Sequence, residues 1–395
     1  MADRWFILAL LFSVRITMAF QFQSVAALAP LIERTSGASL ADIGLLIGLY
    51  MSPGLVLALP GGAIGRRFGD KPVILAGLAL MFAGGLIMAF SPSWNGQIAG
   101  RLIAGIGGVL LNVLMSKLVG DWFAGKEIAT AMGIFVNSWP FGIALALLVL
   151  PHIGARVGLF TTLMLMALLI ALGAAAFALL YRSPPAAPAL PAAAVAATAR
   201  PTGNALAGIL VAGAIWGLFN AAIGMVFSFG GAMLTQRGWA IGAAGSATSL
   251  VLWLTALSVP AGGIIADRSG RPITVLLGGC IAFALMLSIA ARAQQVLPSF
   301  IVLGLVAGLS AGPIMGLTAR VLTPTTRAVG MGIFFTVFYA VTVLAPWVAG
   351  GIAARAGDAS ITFDLGAAML LTCCVGVWLF DRIATAGPRP AEAMY

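Results

Sequence analysis

The chain has 395 residues, of which 61% are hydrophobic and only 8% charged, with a formal net charge of +10. No soluble domain buries that much apolar surface, so the composition excludes a water-soluble enzyme or binding module and describes a polytopic membrane protein. The positive charge does not point to nucleic acid, because the basic residues sit in short loops without an aromatic-basic cluster.

A membrane helix needs about 20 apolar residues. By that length the sequence predicts twelve spans: 5–31, 41–64, 72–91, 95–119, 127–150, 155–181, 204–234, 240–265, 273–292, 297–321, 328–353 and 362–381. Near the start, Ala27-Leu28-Ala29 has the look of a signal-cleavage site. The apolar run before it is long for a signal core and Pro30 would follow the cut, so an uncleaved first span is expected. Ser39-Leu-Ala-Asp42 reads as the N-terminal cap of the second span. After the sixth span comes a Pro/Ala-rich stretch, 183–202, that reads as a semi-rigid cytoplasmic linker. It divides the chain into 1–182, the linker, and 203–395, with six spans on each side. With both termini cytoplasmic, fourteen Lys and Arg residues fall on the inner side and five on the outer, which sets the orientation. A multi-pass protein of a bacterial inner membrane is the expected setting.

Two polar hairpins stand half a chain apart. The first is Gly62-Ala-Ile-Gly-Arg66-Arg67-Phe-Gly69-Asp70-Lys71 and the second Gly263-Ile-Ile-Ala-Asp267-Arg268-Ser-Gly270-Arg271-Pro272, at a constant offset of 201 residues. Gly62 and Gly263 suit close approach of a helix end. Gly69 and Gly270 suit a positive-φ turn. The echo extends further. Met132-Gly133-Ile134-Phe135 matches Met331-Gly332-Ile333-Phe334, and Leu102, Ala104 and Gly105 match Leu305, Ala307 and Gly308 at an offset of 203.

This hairpin resembles the signature between helices 2 and 3 of the major facilitator superfamily, which recurs between helices 8 and 9. The resemblance implies an all-α membrane protein with twelve transmembrane helices in two pseudo-symmetric six-helix bundles. It implies rocker-switch alternating access around a midplane site. In the family the hairpin acid pairs with a basic residue and a neighbouring helix end, latching one conformation. Gly62, Arg67, Gly69, Gly263, Asp267, Arg268, Gly270 and Arg271 carry that role by resemblance. The first copy departs from the pattern, having Arg66 where the family has its Asp.

Arg15 and Arg101 are the basic residues expected well inside spans, where an ionised group faces a partner or a watery cavity. Arg15 could instead snorkel from a register-shifted helix. Arg101 begins Arg101-Leu-Ile-Ala-Gly105-Ile-Gly107-Gly108, which resembles the superfamily's helix-4 motif. With Asn112 it forms one helical stripe. Direct substrate contact and a structural bond to backbone carbonyls both remain open for Arg101. The fifth span carries Asn137-Ser138-Trp139-Pro140, a partial match to the Gly-Pro motif of the family's exporter branch. Trp216 and Asn220, Trp253, and Tyr339 are further candidates on the seventh, eighth and eleventh spans. For each aromatic, helix packing is the competing role. Arg15 and Leu28-Ala-Pro-Leu31 are also similar, over one helix, to the cyanate and nitrate permease branches.

No Asp or Glu lies deep in a predicted span. Two buried cations without a buried acid favour an anionic or electron-rich solute. The sequence therefore reads as a secondary transporter of a small anionic solute. An exporter of hydrophobic or cationic drug-like compounds is the first alternative, and a non-transporting receptor or scaffold the second. The expected partners are the small-molecule substrate, the lipid bilayer and a coupling ion or counter-substrate, with the protein a monomer. There is no metal-ligand or Cys-x-x-Cys spacing, no phosphate-binding loop and no catalytic constellation. No cofactor and no enzymatic activity are expected.

Overall fold

A computed structural model describes residues 4–91, 93–123, 128–182, 200–323 and 326–386. Lys126, Arg389 and most of the expected linker, 183–199, lie outside the described residues, as do the side chains of Arg66 and Arg327.

Every long apolar run forms a helix, because in hydrocarbon each backbone N–H and C=O must be satisfied within the segment. The first span is α1 (Arg4–Ala27), followed by the short α2 (Ala29–Ser36). The second is split at Ser52-Pro53 into α3 (Leu40–Met51) and α4 (Gly54–Phe68). Then come α5 (Asp70–Phe90), α6 (Trp94–Trp122), α7 (Ile128–Leu180), α8 (Gly203–Gln236), α9 (Ile241–Ser269) and α10 (Pro272–Ala290). The tenth span holds α11 (Val296–Ala307), α12 (Ala311–Gly316) and a 3-10 turn, Leu317–Arg320. α13 (Arg327–Ala356) and α14 (Ile361–Ala386) complete the chain. The cap expected at Ser39 is present: Ser39 Oγ accepts from the Asp42 N–H, and Asp42 Oδ2 accepts from the Ser39 N–H at 2.8 Å.

Eleven described helices are long and apolar enough to cross a membrane. The difference from twelve lies in α7. Its 47-residue apolar stretch, Ile134–Leu180, would run about 70 Å as one helix, against a hydrocarbon core of about 30 Å. Gly158, at φ 82 and ψ 171, breaks it into two spans. The tenth span was expected to be continuous and is not. At the break, the Gly308 N–H donates to Ser258 Oγ of α9 at 2.9 Å, and Ser258 Oγ donates to the Gly304 carbonyl at 3.0 Å. A neighbouring helix thus satisfies the backbone groups that the break releases.

The chain forms two compact units, Met1–Pro185 with Val226–Trp253 and Val343–Thr362, and Ala186–Met225 with Leu254–Thr342 and Phe363–Tyr395. In the first, α1 is enclosed, with every residue from Thr17 to Ala27 buried. Helices α5 and α6 meet through Gly77 against Gly107 and Gly84 against Gly100, where a Cβ would strike the facing backbone. The 226–253 segment docks through Ser249 Oγ, which donates to the Ala144 carbonyl at 2.8 Å. The 343–362 segment docks where Gly44 and Gly48 meet the backbone of Pro346 and Val343. In the second unit, α9 closes on the tenth span at Gly262 against Leu309, and α10 does so at Gly279 against Ser310.

Candidate functional site

The first unit gathers its buried polar groups on α1. Arg15 is 8% exposed and reaches two neighbouring helices. Its Nε and Nη2 donate to Asn112 Oδ1 of α6 at 3.1 and 2.9 Å. Its Nη1 donates to the Phe135 and Val136 carbonyls of α7 at 2.9 and 3.2 Å and to Ser138 Oγ at 3.1 Å. The guanidinium carbon lies 4.7 Å from the Phe135 ring centroid. Pro140 explains why α7 offers these acceptors. It has no N–H, so the Val136 carbonyl loses its ordinary helical donor, and Arg15 supplies one. The sequence pair Arg15 and Pro140 carried this signal, but only the fold places them together.

Arg101 is 0% exposed. Its Nε donates to the Leu46 carbonyl at 2.9 Å, Nη1 to the Gln21 carbonyl at 2.8 Å and Nη2 to the Phe22 carbonyl at 3.0 Å. The Tyr50 ring lies 4.7 Å from its guanidinium carbon. This is the structural alternative raised by the sequence: one residue of α6 ties α1 to α3. Asn112 is half-buried on Arg15. Asn137 is exposed, and its neighbour Ser138, 0% exposed, occupies the place beside Arg15.

Two aromatic groups lie within the first unit, one of them reaching Arg101 through Tyr50. Phe22 lies 5.1 Å from Trp139, 5.8 Å from Tyr50 and 6.0 Å from Phe227. Phe141 lies 5.7 Å from Phe12 and 5.0 Å from Trp253. Gln23 Nε2 donates to the Phe227 carbonyl at 2.6 Å. The remaining candidates lie in the second unit. There Trp216 stacks on Phe219 at 5.9 Å and its carbonyl accepts from Asn220 Nδ2 at 2.8 Å. Tyr339 is buried, with its ring edge-on to Phe338 at 5.2 Å.

Both hairpins turn on glycine, with φ 87 at Gly69 and 63 at Gly270. The close approach expected at Gly263 lies one residue earlier. A Cβ at Gly263 would meet open space, whereas one at Gly262 would strike the Leu309 backbone. Arg67, Asp267, Arg268 and Arg271 are exposed, with Arg67 lying over Phe68. Among the described residues, the Asp267 carboxylate makes no hydrogen bond or ion pair. In the first hairpin the engaged acid is Asp70, which pairs with Lys117 of α6 at 2.5 Å. Asp121 stands 3.7 Å from the same ammonium. Lys71 Nζ donates to the Ala178 and Tyr181 carbonyls at 2.8 and 3.0 Å. Sequence reasoning missed this cluster, although the signal was present. At the offset of 201, Asp70 aligns with Arg271 and Arg66 with Asp267, so the two hairpins have exchanged charges.

The sequence model of the Major Facilitator Superfamily matches residues 11–236 and 205–394. "Inner membrane transport protein YajR" of Escherichia coli (strain K12) is 34% identical over 139 residues, 35% of this chain and 30% of that protein. "Methylenomycin A resistance protein" of Bacillus subtilis (strain 168) is 31% identical over 119 residues, 27% of this chain and 26% of that protein. "Major facilitator superfamily multidrug transporter mfsC" of Aspergillus fumigatus is 26% identical over 140 residues, 35% of this chain and 27% of that protein. The matches therefore span less than a third of the length of these relatives. A bacterial homolog of the human lysosomal transporter Spinster, crystallised inward-facing and unoccupied, superposes with a TM-score of 0.79 at 13% identity, covering 98% of this chain and 99% of that one. At that identity the likeness is one of fold.

Proposed function

The chain belongs to the major facilitator superfamily, and on that premise we propose that it is a secondary transporter of small aromatic or otherwise hydrophobic solutes, working by alternating access. It is a multi-pass integral membrane protein of a transporter family, so its substrate is a small molecule and its surroundings are lipid. The observation that carries the finer reading is the aromatic set from Phe12 to Trp253, which offers wide apolar contact with few hydrogen-bonding groups. Arg101, expected as a second cation for an anionic solute, is committed to three carbonyls. The names of the mfsC and methylenomycin relatives support export. The division into 1–182, a cytoplasmic linker at 183–202 and 203–395 belongs to the same reading. So do cytoplasmic termini, a monomer and drive from a coupling ion or counter-substrate. The name of the YajR relative supports a bacterial inner membrane.

A second reading, an anionic solute, is favoured by Arg15, whose bonds to Asn112 are only part-buried. Efflux of ethidium and of a carboxylate dye from energised cells separates the two. The hydrophobic-solute reading expects ethidium efflux that Trp139→Ala and Trp253→Ala slow several-fold and Arg15→Gln spares. It fails if only the carboxylate dye is moved and Arg15→Gln abolishes that transport.

A further inference from the structure

In the first unit two buried polar atoms without a partner lie beside one peptide group, Phe227–Ser228 of α8. The first belongs to Gln23 of α1, which is 1% exposed. Its Nε2 donates to the Phe227 carbonyl at 2.6 Å, and among the described residues its Oε1 has no hydrogen-bond partner. A carbonyl only accepts, so the amide nitrogen must face it and the oxygen is the end left over. Gln21, two residues earlier, is served at both ends. Its Nε2 donates to the Met81 carbonyl at 2.7 Å and its Oε1 accepts from the Tyr50 hydroxyl at 3.4 Å. The second atom is the hydroxyl oxygen of Ser228, a residue also 1% exposed. Other helix hydroxyls in this chain donate to the carbonyl four residues back, as Thr235 does to Gly231 and Thr248 to Ala244, both at 2.8 Å. Ser228 Oγ makes no such bond and has no partner among the described residues. A buried polar atom left unpaired is costly, so two of them beside one peptide point to a ligand.

We propose that Gln23 Oε1 and Ser228 Oγ form the polar end of the solute site and select aromatic solutes that carry a ring-bound N–H. This rests on the hydrophobic-solute reading above and narrows its solute class. The nearby rings are Phe22, next to Gln23 in sequence, and Trp139 and Phe227, which stand 5.1 and 6.0 Å from Phe22. Trp139 and Phe227 are half-buried, so part of each ring is free for a solute. Gln23 Oε1 can only accept, whereas the Ser228 hydroxyl can donate or accept. The pair therefore demands a donor from the solute and asks for no charge. An arylamine brings a neutral N–H on the same flat ring that the aromatic residues hold. A solute with the ring alone would leave the amide oxygen buried and unpaired, which is how a hydrogen-bonding site rejects an analogue that lacks the group.

The test is equilibrium dialysis of the full chain in detergent against two probes, ethidium and ethidium stripped of its two ring amines. The probes share their fused rings and cationic nitrogen and differ in the N–H donors. The wild type should bind ethidium about fivefold tighter than the stripped probe. Gln23→Met, which keeps the length of the side chain but has no amide, should erase that preference. Ser228→Ala breaks no hydrogen bond of the structure and should lower the preference about twofold. Equal affinity of the wild type for both probes, as expected if water alone serves these atoms, would overturn the proposal and leave the hydrophobic-solute reading standing. So would a preference that survives in Gln23→Met. If Gln23→Met binds neither probe, an unchanged preference in Ser228→Ala overturns it. A wild type that binds neither probe overturns both.

Discussion

In the first hairpin the acid follows the turn, and in the second it precedes it: Asp70 comes after Gly69, whereas Asp267 comes before Gly270. Both glycines take positive φ, 87 at Gly69 and 63 at Gly270. The charges around them are exchanged, and the ion pairs nearby join different elements. Lys117 of α6 reaches the hairpin acid Asp70. Its counterpart at the offset of 203 is Arg320, which pairs instead with Asp381 of α14 at 2.8 Å. A backbone conformation must be met at a fixed position, whereas an ion pair needs only complementary partners within reach. Duplication has therefore kept the turn and let the electrostatics diverge.

The largest effect should come from the shared turn. Gly69 combines φ 87 with ψ 139, a region where a side chain is strained, so Gly69→Ala should cost about 1–3 kcal/mol of stability. Gly270, at φ 63, lies in the range that asparagine tolerates, so Gly270→Asn should cost less. Thermal unfolding in detergent ranks the two, and equal losses would break the asymmetry. Next is the ion pair. Asp70→Lys should place like charges beside Lys117 and lower transport about fivefold, or about 1 kcal/mol, with Lys117→Asp restoring most of it. Failure of the double reversal to rescue would show that the pair is incidental. Lys71 binds the carbonyl end of α7, while Pro272 stands at its position in the second hairpin. Lys71→Gln should cost under about 1 kcal/mol in the same unfolding assay. Asp267→Asn should leave stability unchanged, because that carboxylate is exposed. Its effect is expected in the balance of inward- and outward-facing states, read by labelling of single cysteines from each side. Unchanged labelling with unchanged transport would remove Asp267 from gating.

The fold was legible because bilayer thickness leaves few choices. Span lengths, the Ser39 cap and both turn glycines follow from local rules. The split of the tenth span was not legible, because a side chain of another helix, Ser258, sustains it. In the site, Arg15 was legible as a cation at depth, but its acceptors were not. Asn137 and Ser138 are adjacent, and which one faces α1 depends on the rotation of α7. Arg101 was legible as a cation at depth with two roles open, and its three carbonyl acceptors on α1 and α3 favour the structural one.

The bond between Arg15 and Ser138 also sets an order of events during synthesis. Arg15 is made 123 residues before Ser138. At about 5–20 residues per second that interval is roughly 6–25 s. Its acceptors on α6 and α7 do not yet exist then, and an arginine at the centre of a span costs about 2.5–3.5 kcal/mol on an insertion scale. Nascent chains stopped before residue 112 should therefore hold α1 less firmly in the membrane than chains extended past residue 140, as alkaline extraction would report. By freeing the Val136 carbonyl, Pro140 supplies one of the acceptors on which that expected difference in extraction depends.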